Sequence, residues 1–219
     1  MKRAFSLIEL LLAIVVVGIA VVALPLISIS TGKANVQAVV SEVVTSSRIF
    51  IDDILSEPWN SAIANGFTDK NGAVMYSGIL NAQSSDARFG TGTTKYFHRT
   101  LARDKDGKDI KAAVVATSCN SGINCRNGAK AELRTDGKDF KNAFEFDIKA
   151  EVKFLNINDE KIVGKKITVT FDDTKTATGT SNAMLVSATA TGKGGGDIIE
   201  GVKQIKLNGF AFNIGTESR

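Results

Sequence analysis

Residues 1–25 read MKRAFSLIELLLAIVVVGIAVVALP. Two cations, Lys2 and Arg3, and the small Ala4 precede Phe5; one acid stands at Glu9, and residues 10–27 then carry no charged or strongly polar side chain. Those 18 residues in a helix reach about 27 Å, close to the hydrocarbon thickness of a bilayer. The segment can span a membrane. A cleavable secretory signal fits less well, because its apolar core runs about 7–15 residues to a small-x-small site, whereas this run is longer and leads to Pro25. Glu9 is the sharper objection. An acid in a membrane helix costs roughly 2.5–3.5 kcal/mol at mid-bilayer, less near the interface, and is kept where it has a partner.

The run Arg3-Ala4-Phe5-Ser6-Leu7-Ile8-Glu9-Leu10, followed by the apolar stretch with Gly18 and Pro25, resembles the N-terminus of type IV pilins and type II secretion pseudopilins. The resemblance implies a leader over 1–4, cut by a prepilin peptidase between Ala4 and Phe5. It implies N-methylation of Phe5, an assembly role for Glu9 and a helix kink at Pro25. Ala4 stands where the family usually has Gly, and Pro25 lies one residue early. The resemblance extends over about the first sixty residues. It implies as partners other pilin or pseudopilin subunits, the peptidase and an inner-membrane assembly platform.

The role of Glu9 also follows from charge alone. Cleavage would leave an ammonium at Phe5 and the carboxylate one turn along, in a medium where an unpaired charge is costly. Staggered parallel packing of identical helices gives each charge a neighbour's partner. The competing arrangement is a carboxylate folded back on its own terminus, which the helix dipole favours.

The chain has 219 residues and a formal charge of +4, which falls to +2 once Lys2 and Arg3 are removed. That is length for an anchor and one compact domain. Lysines and acids are interspersed and no basic cluster accompanies aromatic residues, so nucleic acid is not an expected partner. Lys2 and Arg3 before the span predict a cytoplasmic N-terminus in the inner membrane with the rest of the chain carried across; the resemblance implies a periplasmic head that later joins a cell-surface or periplasm-spanning filament. Cys119 and Cys125 lie in SCNSGINCRNG; outside the cytoplasm an even cysteine count reads as a bridge, and the Asn/Ser/Gly-rich gap can turn sharply enough to close it. Zinc is disfavoured because His98 is the single histidine.

Beyond the span, Val36, Val39, Val40, Val43, Val44, Phe50, Ile51, Ile54 and Leu55 recur at helical steps with Glu42, Thr45, Arg48 and Asp52 between them. Joined to the span, residues 6–56 make a rod of about 75 Å, kinked or locally melted at Pro25 and stopped by Pro58. Residues 59–109 are broken by Gly, Asn, Ser and Asp and read as a connecting loop, with short strand candidates over 73–80 and 95–101. From 110 the period becomes two. Phe144, Phe146, Ile148, Ala150, Val152 and Phe154 alternate with Glu145, Asp147, Lys149, Glu151 and Lys153, a strand with one wet face. A turn over 156–160 and a return strand over 161–171 make a hairpin. Further strands are expected over 183–190 and 202–214, the last with a bulge or turn at Asn208-Gly209, and over 111–118 and 129–135 beside the cysteines. The expected class is α+β, pilin-like: a long N-terminal helix whose outer half packs on an antiparallel sheet. The boundaries are 1–4 leader, 5–29 membrane and assembly half of the helix, 30–57 amphipathic half, 58–109 connection and 110–219 head.

Three motifs invite chemistry. Residues 104–109, DKDGKD, place acids at positions 1, 3 and 6, but Val115 stands at position 12 and two lysines oppose a cation, so a solvated turn fits better than calcium. No cofactor or metal is expected. Residues 106–109 and 136–139 both read DGKD and suggest turns. GKGGGD over 192–197 lacks the phosphate-loop spacing and reads as a connection between strands. With one histidine no nucleophile and base set can be placed, so no enzyme is expected. The reading is a structural subunit, a minor pilin or minor pseudopilin. The alternatives are a membrane-anchored extracytoplasmic binding module, for adhesion, DNA uptake or secretion-substrate recognition, and an ordinary secreted or anchored enzyme.

Overall fold

The computed structural model describes residues 7–64, 66–68, 74–75, 78–80, 101–117, 119–134, 145–163, 166–177, 179–199 and 201–214. The chain divides into two compact units, Met1–Val43 and Val44–Arg219. Helix α1 (Leu7–Ser56, 50 residues) forms the described part of the first and supplies its last turns to the second. Leu and Ala in its first half favour a helix, the many Val and Ile add little propensity, and the largest single costs fall at Gly18, Gly32 and Pro25. The helix runs through Pro25 without interruption. Beyond it, Thr31 Oγ1 donates to the Ile27 carbonyl at 2.9 Å, a back-bond that a hydroxyl makes readily inside a helix. At the other end Pro58 pushes Glu57 out of the helical region, and Ser56 Oγ occupies the Asp53 carbonyl.

In the second unit the described strands pair antiparallel. β1 (Phe67–Thr68) and β2 (Val74–Met75) form a small pair. The main sheet comprises β3 (Lys130–Arg134), β4 (Glu145–Val163), β5 (Lys166–Thr176), β6 (Ala183–Gly192) and β7 (Gln204–Phe212). Its order is β3-β4-β6-β7, with β5 paired to β4. Phe146, Ile148, Ala150, Val152 and Phe154 of β4 are buried, and opposite them on β6 lie Gly192, Ala190, Ala188, Val186 and Met184. Each larger side chain removed from water contributes about 1.5–3 kcal/mol, so this face is the core of the unit. The alternation read from the sequence is the alternation that folds.

The last turns of α1 close that face. Ile51 and Ile54 are buried, as are Ser46 and Ser47, which interrupt the apolar stripe; Val44, counted on the stripe from its spacing, is exposed. Trp59 packs its ring against Phe154, centroids 5.9 Å apart and tilted by 59°. A Cβ added to Gly209 of β7 would stand 2.7 Å from Ile51 Cγ2 and 3.1 Å from Leu55 Cδ1. Helix and strand meet across a glycine.

Four expectations change. The bulge or turn expected at Asn208-Gly209 is absent: β7 pairs in unbroken register, Asn208 opposite Ser187 and Gly209 opposite Val186. Gly209 is there for close approach, so Ile205, Leu207, Gly209 and Ala211 share the inward phase while Phe210 and Phe212 face outward with 39% and 42% exposure. The turn expected over 156–160 is strand, because β4 continues to Val163 opposite Lys166. The polar residues there mark irregularities, with register shifts between Leu155 and Asn156 and between Ile157 and Asp159. Residues 111–117 are not a strand; amide side chains take the backbone groups that a ladder would use. The candidates over 73–80 and 95–101 shrink to β2 and a bridge between Ile79 and Leu101 among the described residues. The DGKD turn over 136–139 lies outside the described residues.

Replacing Gly209 with Leu is expected to lower stability by about 1–3 kcal/mol through overpacking, read as a lower urea midpoint in detergent. Leu207→Val, at a half-buried position two residues away, should cost less.

Candidate functional site

The first candidate is the N-terminal half of α1. Glu9 lies in its first turn and is the acid there. Leu10, Leu11, Leu12, Ile14, Val15 and Val16 are 52–65% exposed, and no residue in the most apolar window of the helix is buried. A helix apolar all round and uncovered by its own protein is built for hydrocarbon or for other helices. Length and composition suffice for it to cross a membrane. Ala4 and Phe5, where cleavage and methylation were expected, lie outside the described residues.

Residues 1–25 match the family described as the prokaryotic N-terminal methylation motif. The chain carries the type IV pilin and pseudopilin signature. Its N-terminus is similar to that of pilin-like and pseudopilin-like processed subunits, a kind that is structural and assembles with other pilin subunits. The motif and the apolar helix fit a membrane-anchored pilin. No curated protein and no solved structure matches the chain.

The second candidate is the polar junction where the chain leaves α1. Cys119 and Cys125 are joined, their Cα atoms 5.2 Å apart. The loop they close ends in a short 3-10 turn over Ile123–Cys125, and it docks on residues 57–61 through backbone and side chains together. Ile123 N donates to the Pro58 carbonyl at 2.9 Å, and Asn124 Oδ1 accepts from Ser61 N at 2.7 Å. Asn124 Nδ2 donates to Ser61 Oγ and to the Val114 carbonyl, each at 3.0 Å. Asn60 does the same from the other side: its Oδ1 accepts from Ala62 N and Ala113 N, and its Nδ2 donates to the Ala113 carbonyl. Both amides are fully buried. Because a buried amide left unpaired costs about 1–3 kcal/mol, these bonds, with Ala116 N donating to the Asn124 carbonyl, fix the path of residues 113–116. Gly122 sits at φ +110°, where an added Cβ would be 2.5 Å from Ser61 N; a glycine is required there.

Glu57 supplies the charge at this junction. Its carboxylate accepts from Gly122 N at 3.0 Å and is paired with Arg126. The Gly122 N–H first, and then the Arg126 guanidinium, hold the Glu57 carboxyl below the usual carboxylate range, against the opposing effect of burial. None of Glu57, Asn60, Asn124 or Asn213 stood out in the sequence. The one available signal was the position of Glu57 and Asn60 around the stop at Pro58, since residues next to a helix end often serve its orphan groups.

The other motifs resolve into turns. Asp104 Oδ1 accepts from Asp106 N and Lys108 N, and Asp109 pairs with Arg103 at 2.9 Å, so Asp104 serves the loop's own backbone and Asp109 an arginine. Lys193–Gly195 forms a 3-10 turn after β6, with Gly194 N donating to Asp147 and Lys193 paired with Glu145. Among the described residues no three His, Cys, Asp or Glu side chains gather as a metal site. His98 lies outside the described residues.

Glu57→Gln is expected to lower stability by about 1 kcal/mol at pH 7, since hydrogen bonds to charged groups are worth more than neutral ones and the half-exposed arginine screens part of the gain. A depressed carboxyl stabilises the fold above its ordinary value of 4.5 and loses that contribution as pH falls through the folded value. Urea melts should therefore show the gap between variant and wild type closing between pH 7 and pH 3. An equal gap at both would contradict the charge argument.

Proposed function

We propose that this chain is a minor pilin or minor pseudopilin of a type IV pilus or a type II secretion pseudopilus. The observation that carries the proposal is the methylation motif over residues 1–25, set at the head of an apolar, uncovered helix. A prepilin peptidase cuts between Ala4 and Phe5 and the new Phe5 amine is methylated; residues 5–29 then hold the subunit in the inner membrane, N-terminus cytoplasmic and head periplasmic. Assembly proceeds through an inner-membrane platform to a filament of pilin subunits. Glu9 provides the register. Its charge is satisfied by a neighbour's terminal ammonium only in the assembled state, because inside hydrocarbon both ions otherwise stand without a partner. Pro25, which withholds a backbone donor, is the place for the helix to bend in the filament. The length of the chain and its irregular connection after Pro58 favour a minor over a major subunit.

N-terminal mass spectrometry of the mature protein is expected to find Phe5 first, with one added methyl on its amine. A mature start after Ala23 would instead identify a secretory signal and end the proposal. Glu9→Ala should leave insertion and cleavage intact yet reduce incorporation into sheared filaments at least tenfold. Equal incorporation would remove Glu9 from assembly.

A further inference from the structure

Cys119 and Cys125 lie six apart in sequence, and the loop between them receives the end of α1. The described bonds from the loop to residues 57–61 leave from four neighbouring residues. Gly122 N and Arg126 hold Glu57, Ile123 N holds the Pro58 carbonyl, and Asn124 holds Ser61. Just beyond the loop the chain is fastened to β4, where Asn127 Oδ1 accepts from Val152 N at 3.1 Å and Gly128 N donates to the Ala150 carbonyl at 2.9 Å. Residues 122–128 are therefore a strap from the helix exit to the sheet. The strap has no slack: Gly122 and Ser61 already approach within the space of a Cβ, so widening the turn breaks the bonds to Ser61 and Pro58 together.

The two cysteines differ in access. Cys119 is exposed and is followed by the exposed Asn120, whereas Cys125 is 8% exposed. Cys125 is seated in the 3-10 turn, its N–H donating to the Gly122 carbonyl at 2.9 Å and its sulfur 3.1 Å from the Ser121 carbonyl oxygen. Access decides which sulfur of a disulfide a thiolate attacks, and here it selects Cys119. Neither the ladder of β3, β4, β6 and β7 nor the cluster of Ile63, Leu80 and Ala102 contains either cysteine. Breaking the bond thus acts on the strap and leaves the sheet in place.

We propose that the Cys119–Cys125 bond is a redox-operated latch on the exit of α1, opened by thiol–disulfide exchange with a dithiol that attacks the sulfur of Cys119. The attacking thiolate forms a new bond to Cys119 as the bond to Cys125 breaks, and Cys125 leaves as a thiolate and takes up a proton. The second thiol of the reagent loses its proton, attacks its own sulfur in the mixed disulfide and expels the Cys119 thiolate, which is protonated in turn. Two electrons pass to the cysteines and the reagent ends as a disulfide. Opening a loop of this size returns the chain entropy that closure removed, favouring the undocked strap by about fiftyfold. The latch rests on the junction alone, so it stands whether or not the chain assembles into a filament.

The test takes the full chain in detergent, untreated or held in excess dithiothreitol until mass spectrometry finds both thiols free, and follows amide hydrogen exchange. The amides of Ser61, Gly122 and Ile123 are expected to exchange at least tenfold faster after reduction, while those of Val186 and Ala188 in β6 keep their rates. Unchanged exchange at the three junction amides would overturn the proposal, because the strap then holds without the disulfide. An equal rise in β6 would overturn it as well, since the bond would then staple the whole unit. So would a disulfide that excess dithiothreitol leaves intact in the folded chain. The point of attack is read with glutathione, a monothiol, whose adduct is expected on Cys119 at least tenfold over Cys125; an even split or an excess on Cys125 refutes the order of attack. The variant carrying Cys119→Ser with Cys125→Ser should show the reduced exchange rates without reductant and ignore added dithiothreitol. A double variant that keeps the oxidised rates refutes the latch.

Discussion

The distance between α1 and β7 governs the second unit. Helices pack on sheets through side chains, and at Gly209 the strand gives up its own so that Ile51 and Leu55 can reach the backbone. That contact aligns the inward phase of β7 with the buried residues of β6 and β4, because register on one strand propagates through the ladder to the next. A slip of one residue would turn Phe210 and Phe212 inward against the helix. The glycine thus sets which aromatic residues remain outside, and it does so by its size.

The second unit also shows how a chain with little regular structure after its helix keeps a defined path. Between Glu57 and Lys130 the described residues hold only short strands and 3-10 turns, yet buried side chains gather there: Ile63, Leu80 and Ala102 make a cluster with Trp59 and Ile110 against it. Asparagine amides take the place of a ladder. Asn60 and Asn124 hold residues 113–116, and Asn213 grips Leu80 through both its N–H and its carbonyl. Each amide offers donor and acceptor in one plane, which is what an unpaired stretch of backbone needs.

What the sequence disclosed and what it hid divide along physical lines. The span over residues 10–27 and the alternation from Phe146 to Phe154 could be read because burial leaves a periodic trace in composition. Glu57 and Arg126 could not, since an ion pair between residues far apart in the chain leaves none. Nor could the turn at 156–160 be read correctly. Asn156, Asn158, Asp159 and Glu160 have the composition of a loop, but on a wet ribbon the same residues are simply solvated strand, and the reversal falls instead between Val163 and Lys166. Gly209 was misread for a related reason, a glycine in a strand being compatible with a bulge, a turn or a close neighbour. In the N-terminal segment the motif could be read at once, because its residues act one by one on a peptidase and on partners and need no fold to be recognised.

β4 changes company along its length. Residues 145–154 lie within the sheet, paired to β6 from Phe146 to Phe154 and to β3 over 145–149, whereas residues 155–163 pair with β5. Two register shifts stand where the change occurs, and irregularities of that kind sharpen local twist. Amide hydrogens on the two stretches should report different openings. Those near Ile148 and Ala150 are released to solvent only when the whole unit unfolds, and those near Lys161 and Ile162 whenever the ribbon separates. One strand would then carry two exchange regimes, with the boundary at Leu155.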